Sequence, residues 1–530
     1  MQEGEEDVSH RDLGFGGFFE GGKLRFTSKA QSPTEGQRLA AALTYLGIKL
    51  NESQSKTFAH EHYLNAPDGR FNGVAAGYTY LLQLAAHDVL QSSRHVHPFK
   101  DDAPQPSNLR RAPLALETVF GGGPAGCPYA YDQPSNGSGV HLLRLGQFRD
   151  QDPNTKRRHP PAEDLPRGRF DPDGPEGENA PYTEVLIADA RNDDNNILAQ
   201  LSVLFHKLYN MLARHSFQAP NGTGTGALPE RHRNRIARLA TLRIYHRILR
   251  YDLLPKLMHP DVLALYDFEA PQKLLNLRQD EAFEHFAFAA RVGHSMVRDR
   301  YRLNGSFRGE LNRFLRMSSL HSPHLLPTPR SWRIDWKLFF PEPGVVDDTI
   351  NWAIKLGPHF AHQMSGDVAA AKVDPSLPAG TPIRDLLADF HIRLRPVEAL
   401  VEQLARHLPA VLSGDPQATL DRIITDGFET LRIDELGARD GSGNPVDLSP
   451  LRRTPPLFMY LLFEAQDSGT RGRTFGLLGS AIIGDCFIPL LTDSSTRTPD
   501  NQAAQALEDM TFPGDPICSM AALTSQLPAS

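Results

Sequence analysis

Cysteine is scarce in this chain: Cys127, Cys486 and Cys518 are the three among 530 residues, and no CxxC pair occurs. That spacing excludes a disulfide-stapled fold and a cysteine-built zinc site, and an odd count suits a reducing compartment. Positive charge is also in deficit. With 56 Lys and Arg against 63 Asp and Glu, the formal charge is -7. The chain has no general attraction to nucleic acid or anionic membrane, and neither is expected as a partner. Long apolar runs are missing too. The best of them, Phe475 to Leu491, carries Asp485 and Pro489 and falls short of the ~20 residues a bilayer span needs. It reads as a buried helix, and no transmembrane segment is expected. Met1 to Asp7 is acidic and polar where a secretory leader is basic and then apolar, so cytoplasmic residence is expected. Hydrolase, NTPase and dinucleotide readings lose their usual supports: there is no GxSxG elbow, no GxxxxGK[ST] loop and no GxGxxG after a strand.

What is present is mostly helical periodicity. Residues 1–35, rich in Gly, Glu and Ser, read as a poorly ordered arm. Residues 36–492 read as one large mainly α domain with long loops and few short strands, and 493–530 as a tail packed on it or trailing from it. The first strong helix is expected from about Asn72 to Leu90, where Val74, Tyr78, Leu81, Leu82, Ala85 and Val89 recur at three- and four-residue steps. A Gly- and Pro-rich loop region follows from about His97 to Pro181. Helical patterns then return at Ile197 to Met211, Arg233 to Met258 and Phe283 to Val297. Later ones cover Val397 to His407, Leu457 to Ala465 and Phe475 to Leu491. No internal repeat interrupts them.

Three segments hold residues able to do chemistry. Gln83 and His87 lie four apart on one face of the first helix, with Asp88 beside them; taken alone, a single helical His is more often a hydrogen-bonded packing residue. Asp189 to Asn196 precedes a helix, and its carboxylates and amides suit the free N–H groups there. Arg191 in the same stretch does not suit a helix N-terminus. Gly293, inside the apolar run around His294, costs roughly 1 kcal/mol against alanine in a helix and points to close approach, either by a neighbouring helix or by a flat ligand. His60-Glu61-His62 and His95-Val96-His97 look like metal clusters, but residues two apart do not share a helix face and a third ligand is lacking in each.

In order, the segments resemble the signature blocks of animal-type haem peroxidases, the peroxidase–cyclooxygenase superfamily, and of its bacterial branch in particular. Leu82-Gln83-Leu84-Ala85-Ala86-His87-Asp88 is similar to the distal block, Asp189-Ala190-Arg191-Asn192-Asp193-Asp194 to the arginine block, and Arg291-Val292-Gly293-His294-Ser295-Met296-Val297 to the proximal block. Thr118 to Pro124, Ile334-Asp335-Trp336 and the helices from Leu451 to Leu491 are supporting matches. The resemblance implies a mainly α fold with haem b between the distal and proximal helices. It implies His294 as iron ligand, Arg291 as propionate partner, and Gln83, His87 and Arg191 as the peroxide-handling set. The acceptor for the other nitrogen of His294 is expected at Asp389.

The departures carry information as well. Ala86 stands where mammalian members have a haem-esterifying Asp, and Asp194 where they have a Glu, which leaves one covalent link conceivable. The family's calcium site would use Asp88 and the loop Leu114 to Gly121, but Ala115 replaces its Asp and only Glu117 remains as a side-chain carboxylate, which counts against calcium. The implied function is peroxidase: hydrogen peroxide oxidises ferric haem by two electrons, and a small organic donor, or a halide, reduces it. A fatty-acid dioxygenase of the same superfamily and a non-catalytic haem or peroxide sensor are the alternatives. The dioxygenases carry a Tyr three residues before the proximal His, and Arg291 stands there instead. The oligomeric state is not legible in the sequence.

Overall fold

The computed structural model describes residues 33–52, 73–91, 108–132, 140–149, 162–170, 182–215, 230–345, 347–364, 380–392, 394–408, 415–440, 443–467, 469–491 and 499–527. Residues 1–32 of the expected arm 1–35 and the clusters His60-Glu61-His62 and His95-Val96-His97 lie outside these residues, and residues 33–35 instead begin a helix. In chain order the longer helices are α1 (Pro33–Glu52), α2 (Gly77–Val89), α3 (Asn196–Arg214), α4 (Glu230–Ile248), α5 (Gln279–Val292) and α6 (Thr381–His391). They are followed by α7 (Val397–Ala405), α8 (Pro416–Thr430), α9 (Leu457–Asp467), α10 (Leu477–Phe487), α11 (Pro499–Thr511) and α12 (Met520–Gln526). Strands among the described residues form four antiparallel pairs, the longest joining Arg167–Phe170 to Tyr182–Val185 with Arg167 opposite Val185. The mainly α architecture with few short strands is the one the periodicity implied.

Each expected helix is present, and the shifts at its ends have local causes. α2 starts at Gly77 because the residues before it are paired as extended chain: Ala75 bridges Trp352, and Ala353 N–H donates to Val74 O at 2.8 Å. The free N–H groups of the helix start are met by distant carbonyls, Ala76 N to Asn351 O at 2.6 Å and Gly77 N to Phe339 O at 3.2 Å. α4 runs on through a π turn, Leu249–Leu253, just ahead of Pro255. Proline lacks the N–H and crowds the carbonyl four residues back, and a wider turn relieves both. The apolar run from Phe475 is the buried helix α10. Its Asp485 is accounted for by three donors, Tyr266 Oη at 2.7 Å and the N–H groups of Leu274 and Leu275 at 2.8 Å each.

One continuous apolar cluster runs from Leu39 in α1 to Leu523 in α12. At its centre α5 packs on α10 and α9, and α2 packs on α3 and α5. The C-terminal segment packs on this body. Glu508 of α11 takes both Arg243, with Nε at 3.1 Å from Oε1, and Arg247 of α4, and Met520 N–H donates to Asp252 at 2.8 Å.

Gly77 fixes how closely α2 can enter this body. A Cβ there would stand 2.4 Å from Phe339 O and 2.6 Å from the Phe340 ring. Gly77→Ala is therefore expected to cost about 1–3 kcal/mol by overpacking, while Gly305→Ala, with nothing within 4 Å of the new carbon, should stay within about 0.5 kcal/mol. Denaturant midpoints of the two variants check this, and equal stabilities would contradict it.

Candidate active site

A cavity of about 270 Å³ lies between α2 and the C-terminal end of α5. Tyr80, Gln83, Ala86 and His87 line one wall, at helical spacing along a single face of α2. Ala287, Ala290, Arg291, Gly293 and His294 line the other, and Arg191 reaches in from the edge. Gly293 meets both readings of its sequence: it borders the cavity, and a Cβ on it would come within 3.0 Å of Leu82 Cδ2 across the gap. The side chains of Gln83, His87, Arg191, Arg291 and His294, scattered over some two hundred residues of sequence, are thus brought to one space.

His294 sits in the 3-10 turn Gly293–Met296 that ends α5. Its Nδ1 is 2.7 Å from Asp385 Oδ2 in α6, and the other oxygen of Asp385 is 3.5 Å from Arg291 Nε. A carboxylate only accepts, so Nδ1 carries the hydrogen and Nε2 keeps its lone pair, as a metal-ligating imidazole requires. Asp389, expected in this role, is corrected to Asp385. Asp389 instead takes Phe458 N–H at 2.7 Å, and burial pushes its carboxyl up to about 7. The two aspartates lie one helical turn apart on the same side of α6, which is why spacing alone points to either.

His87 is fixed by Asn192. Its Nδ1 stands 3.1 Å from Asn192 Oδ1, and the amide is oriented by its own Nδ2–H reaching Thr118 O at 3.5 Å. Nδ1 therefore donates and Nε2 is the acceptor. Burial first, then the Arg191 charge, lowers the imidazole to about 4, against opposing pulls from Asp189, Asn192 and Asp194. His87 is neutral at pH 7, in the state that accepts a proton.

Its neighbour Asp88 does not fit the calcium role. The fully buried carboxylate accepts from Leu116 N at 2.8 Å and Thr118 N at 3.2 Å, so donors face it where a cation needs oxygen ligands. It organises a strained loop instead: Leu114 and Leu116 have φ of 57° and 55°, each costing roughly 1–2 kcal/mol for an L-residue. His246 of α4 holds the same loop by donating to Leu114 O at 2.7 Å.

Arg191 lines the cavity, yet most of its donors are engaged elsewhere. Nε and Nη2 bind Asp189, Nη2 also donates to His87 O at 2.9 Å, and Nη1 donates to Leu90 O at 2.8 Å. Of five N–H groups one hydrogen on Nη1 is left for the cavity. This explains an arginine in a segment otherwise suited to an N-terminus: it caps the C-terminal end of α2, where a cation belongs. Arg110 joins it, donating from Nε to the same His87 carbonyl at 2.9 Å and pairing with Asp189. Burial works to raise the Asp189 carboxyl, but the hydrogen bonds and charge of Arg191, with Arg110, overcome it and hold the group near 2.

Gln83 joins α2 to the start of α3. It donates to Asp194 Oδ2 at 3.2 Å and accepts from Asn195 Nδ2 at 3.3 Å, while Asn195 Oδ1 caps Leu198 N–H at 2.9 Å. Asp194 is exposed and is not among the side chains lining the cavity. Sequence reasoning missed Tyr80, Asn192 and Asp385. Tyr80 was findable, because it stands three residues before Gln83 and seven before His87, on the same face of α2.

A lowered histidine makes the site sensitive to acid in a definite direction. Between about 4 and the ordinary 6.5 the unfolded chain binds a proton at His87 that the folded chain does not, so this group's contribution is lost as pH falls through that window. The stability of the ligand-free protein minus that of His87→Gln should accordingly shrink from pH 7 to pH 4, measured by denaturant midpoints. A constant difference would contradict the buried neutral imidazole.

No protein-family model matches the chain, and no curated protein matches it in sequence. Among solved structures it is similar to peroxidase A from Dictyostelium discoideum, with a TM-score of 0.51 at 12% identity over 97% of this chain and 91% of that one. The fatty acid alpha-dioxygenases of Oryza sativa and Arabidopsis thaliana match at TM-scores of 0.41 and 0.40, with 9% and 10% identity. They cover 93% and 87% of this chain and 84% and 73% of theirs. The likeness is one of fold: the chain has the mainly α fold of the Dictyostelium peroxidase.

Proposed function

We propose that the chain is a haem peroxidase that reduces hydrogen peroxide and oxidises a small aromatic donor. One observation carries the reading: two imidazoles line one cavity, each with Nδ1 committed to a protein oxygen, His294 to Asp385 and His87 to Asn192. That leaves one Nε2 suited to ligate iron and another suited to move a proton.

The cavity wall suits haem b in three respects. Ala86, Ala287, Ala290 and Gly293 keep the walls low enough for a flat macrocycle. His294 supplies the single imidazole donor with a carboxylate behind it. Arg291 Nη1 is buried without a hydrogen-bond partner among the described residues and would meet a propionate. The space of about 270 Å³ is just below the ~300–1,000 Å³ usual for ligand sites, so entry requires side chains at the rim, such as Leu90 and Ile392, to move outward.

Bound haem would supply the two-electron reduction of peroxide and the one-electron oxidation of donors. The protein supplies the protons. Neutral His87 would take a proton from the near oxygen of peroxide through Nε2 and return it to the departing oxygen. The remaining Nη1 hydrogen of Arg191 would meet the charge developing on that oxygen, and the bonds to Asp189, His87 O and Leu90 O hold the guanidinium in place for it.

The fatty-acid dioxygenase reading gains one feature, Tyr80 on the cavity wall. Against it, Arg291 stands three residues before His294 and cannot form a phenoxyl radical. Tyr301 is buried behind Tyr80 with its Oη accepting Arg298 N–H at 2.9 Å.

Point variants separate the roles. His294→Ala is expected to abolish stable haem uptake. His87→Ala should retain haem while slowing the reaction with peroxide about 10²–10⁴-fold. Asp385→Asn should weaken haem binding or the peroxide reaction about 10–100-fold, and Asp389→Asn, whose oxygen can still accept Phe458 N–H, should leave both unchanged. Haem titrations followed by stopped-flow absorbance give all four results. Full haem uptake by His294→Ala, or equal effects of the two aspartate variants, would sink the assignment.

A further inference from the structure

A second cavity, of about 710 Å³, lies beside α3 and the turn that carries Trp336. The Ile334-Asp335-Trp336 block has no part in the first cavity, but Ile334, Asp335 and Trp336 all line this one. Trp336 is half-buried, and Phe340 lies beside it at 5.8 Å between ring centres and 27° between planes. Together the two rings offer an aromatic face to the cavity. The charge of the lining runs opposite to that of the whole chain. Lys207, Arg330, Arg333 and Lys337 contribute four positive charges against two negative from Asp335 and Glu342, a formal +2 in a chain of -7.

Trp336 is also joined to the first cavity by rings in contact. Its ring centre is 5.9 Å from that of Phe339, Phe339 stacks on Tyr301 at 6.1 Å and 11°, and Tyr301 meets Tyr80 edge-on at 5.9 Å. Tyr80 lines the first cavity. The chain of rings therefore starts at one cavity and ends at the other, with each successive pair of ring centres within 6.1 Å.

We propose that the second cavity binds an anionic aromatic donor too bulky for the first, and that Trp336 passes its electrons inward by tunnelling across Phe339, which is itself never oxidised, to Tyr301 and Tyr80. The inference rests on the peroxidase reading. For each electron, Trp336 is oxidised to its radical cation, keeps its indole proton, and regains an electron from the donor against its ring. Two donor molecules each lose one electron, and hydrogen peroxide takes the two electrons and two protons from solvent to give two waters. The cationic rim holds the donor's carboxylate or sulfonate, and the aromatic floor holds its ring.

The probe is the dianionic azino-bis(benzothiazoline sulfonate) dye, with guaiacol as the small uncharged comparison, on the haem-loaded protein. Calorimetry without peroxide should show dye binding that weakens at least tenfold in Arg330→Ala/Arg333→Ala. With peroxide, Trp336→Phe, which keeps a ring against Phe339 and Phe340, should lose at least tenfold in kcat/KM for the dye and less than twofold for guaiacol. Freeze-quenched wild type without donor should give a tryptophan radical signal by electron paramagnetic resonance that Trp336→Phe lacks. Dye binding indifferent to the two arginines, or equal effects of Trp336→Phe on both donors, would overturn the proposal. Wild type that binds the dye but oxidises neither donor would refute the peroxidase reading and the electron route with it, while leaving the anion site established by the calorimetry.

Discussion

The last turn of α2 is held by a buried cluster of charge, and the geometry of the candidate site depends on it. Arg110 and Arg191 both donate to the carbonyl of His87, and Asp189 binds both guanidinium groups. Three chain segments far apart in sequence meet at this one peptide. Arg110 and Asp189 are both buried, and removing one partner of such a pair typically costs about 3–5 kcal/mol, whereas Arg191 is partly exposed. Burial lowers the His87 imidazole most, and within the cluster Arg191 lowers it further while Asp189 opposes it. The cluster therefore bears on both the position and the protonation state of His87.

On the other wall the logic is simpler. α5 ends in a tight turn, and the turn presents His294 to the cavity while α6 presents Asp385 to its far nitrogen. Arg291, one turn earlier on α5, meets the second oxygen of the same carboxylate. A single aspartate thus orders both residues that would touch haem. Asp88 does comparable work behind His87, where its carboxylate gathers the N–H groups of a loop with two leucines in left-handed conformation. The site is rigid where buried carboxylates collect donors, and that is a property of the protein rather than of any ligand.

Helices α2, α3, α4, α5, α7, α9 and α10 were legible from apolar residues at three- and four-residue steps, whereas α1, α6, α8, α11 and α12 were not expected. His87, Arg191 and His294 were legible as ordered blocks, and the fold brings them to one cavity. Arg191 was only half understood, because its main partner is a helix end a hundred residues away in sequence, and no local pattern encodes such a contact. Asp385 was missed for Asp389 because both share a side of α6 and only packing decides which faces His294. The ring chain from Tyr80 to Trp336 depends on tertiary contacts throughout, so its members read in sequence as ordinary core aromatics.

The central claim is that His294 ligates haem iron with Asp385 strengthening it from behind. Resonance Raman spectroscopy of the reduced, haem-loaded protein tests this most directly, through the iron–histidine stretching band. The account predicts such a band in the wild type, its loss in His294→Ala, and a shift to lower frequency in Asp385→Asn, where a neutral amide withdraws less from the Nδ1 hydrogen. No iron–histidine band in the wild type, or a band unmoved by Asp385→Asn, would contradict it.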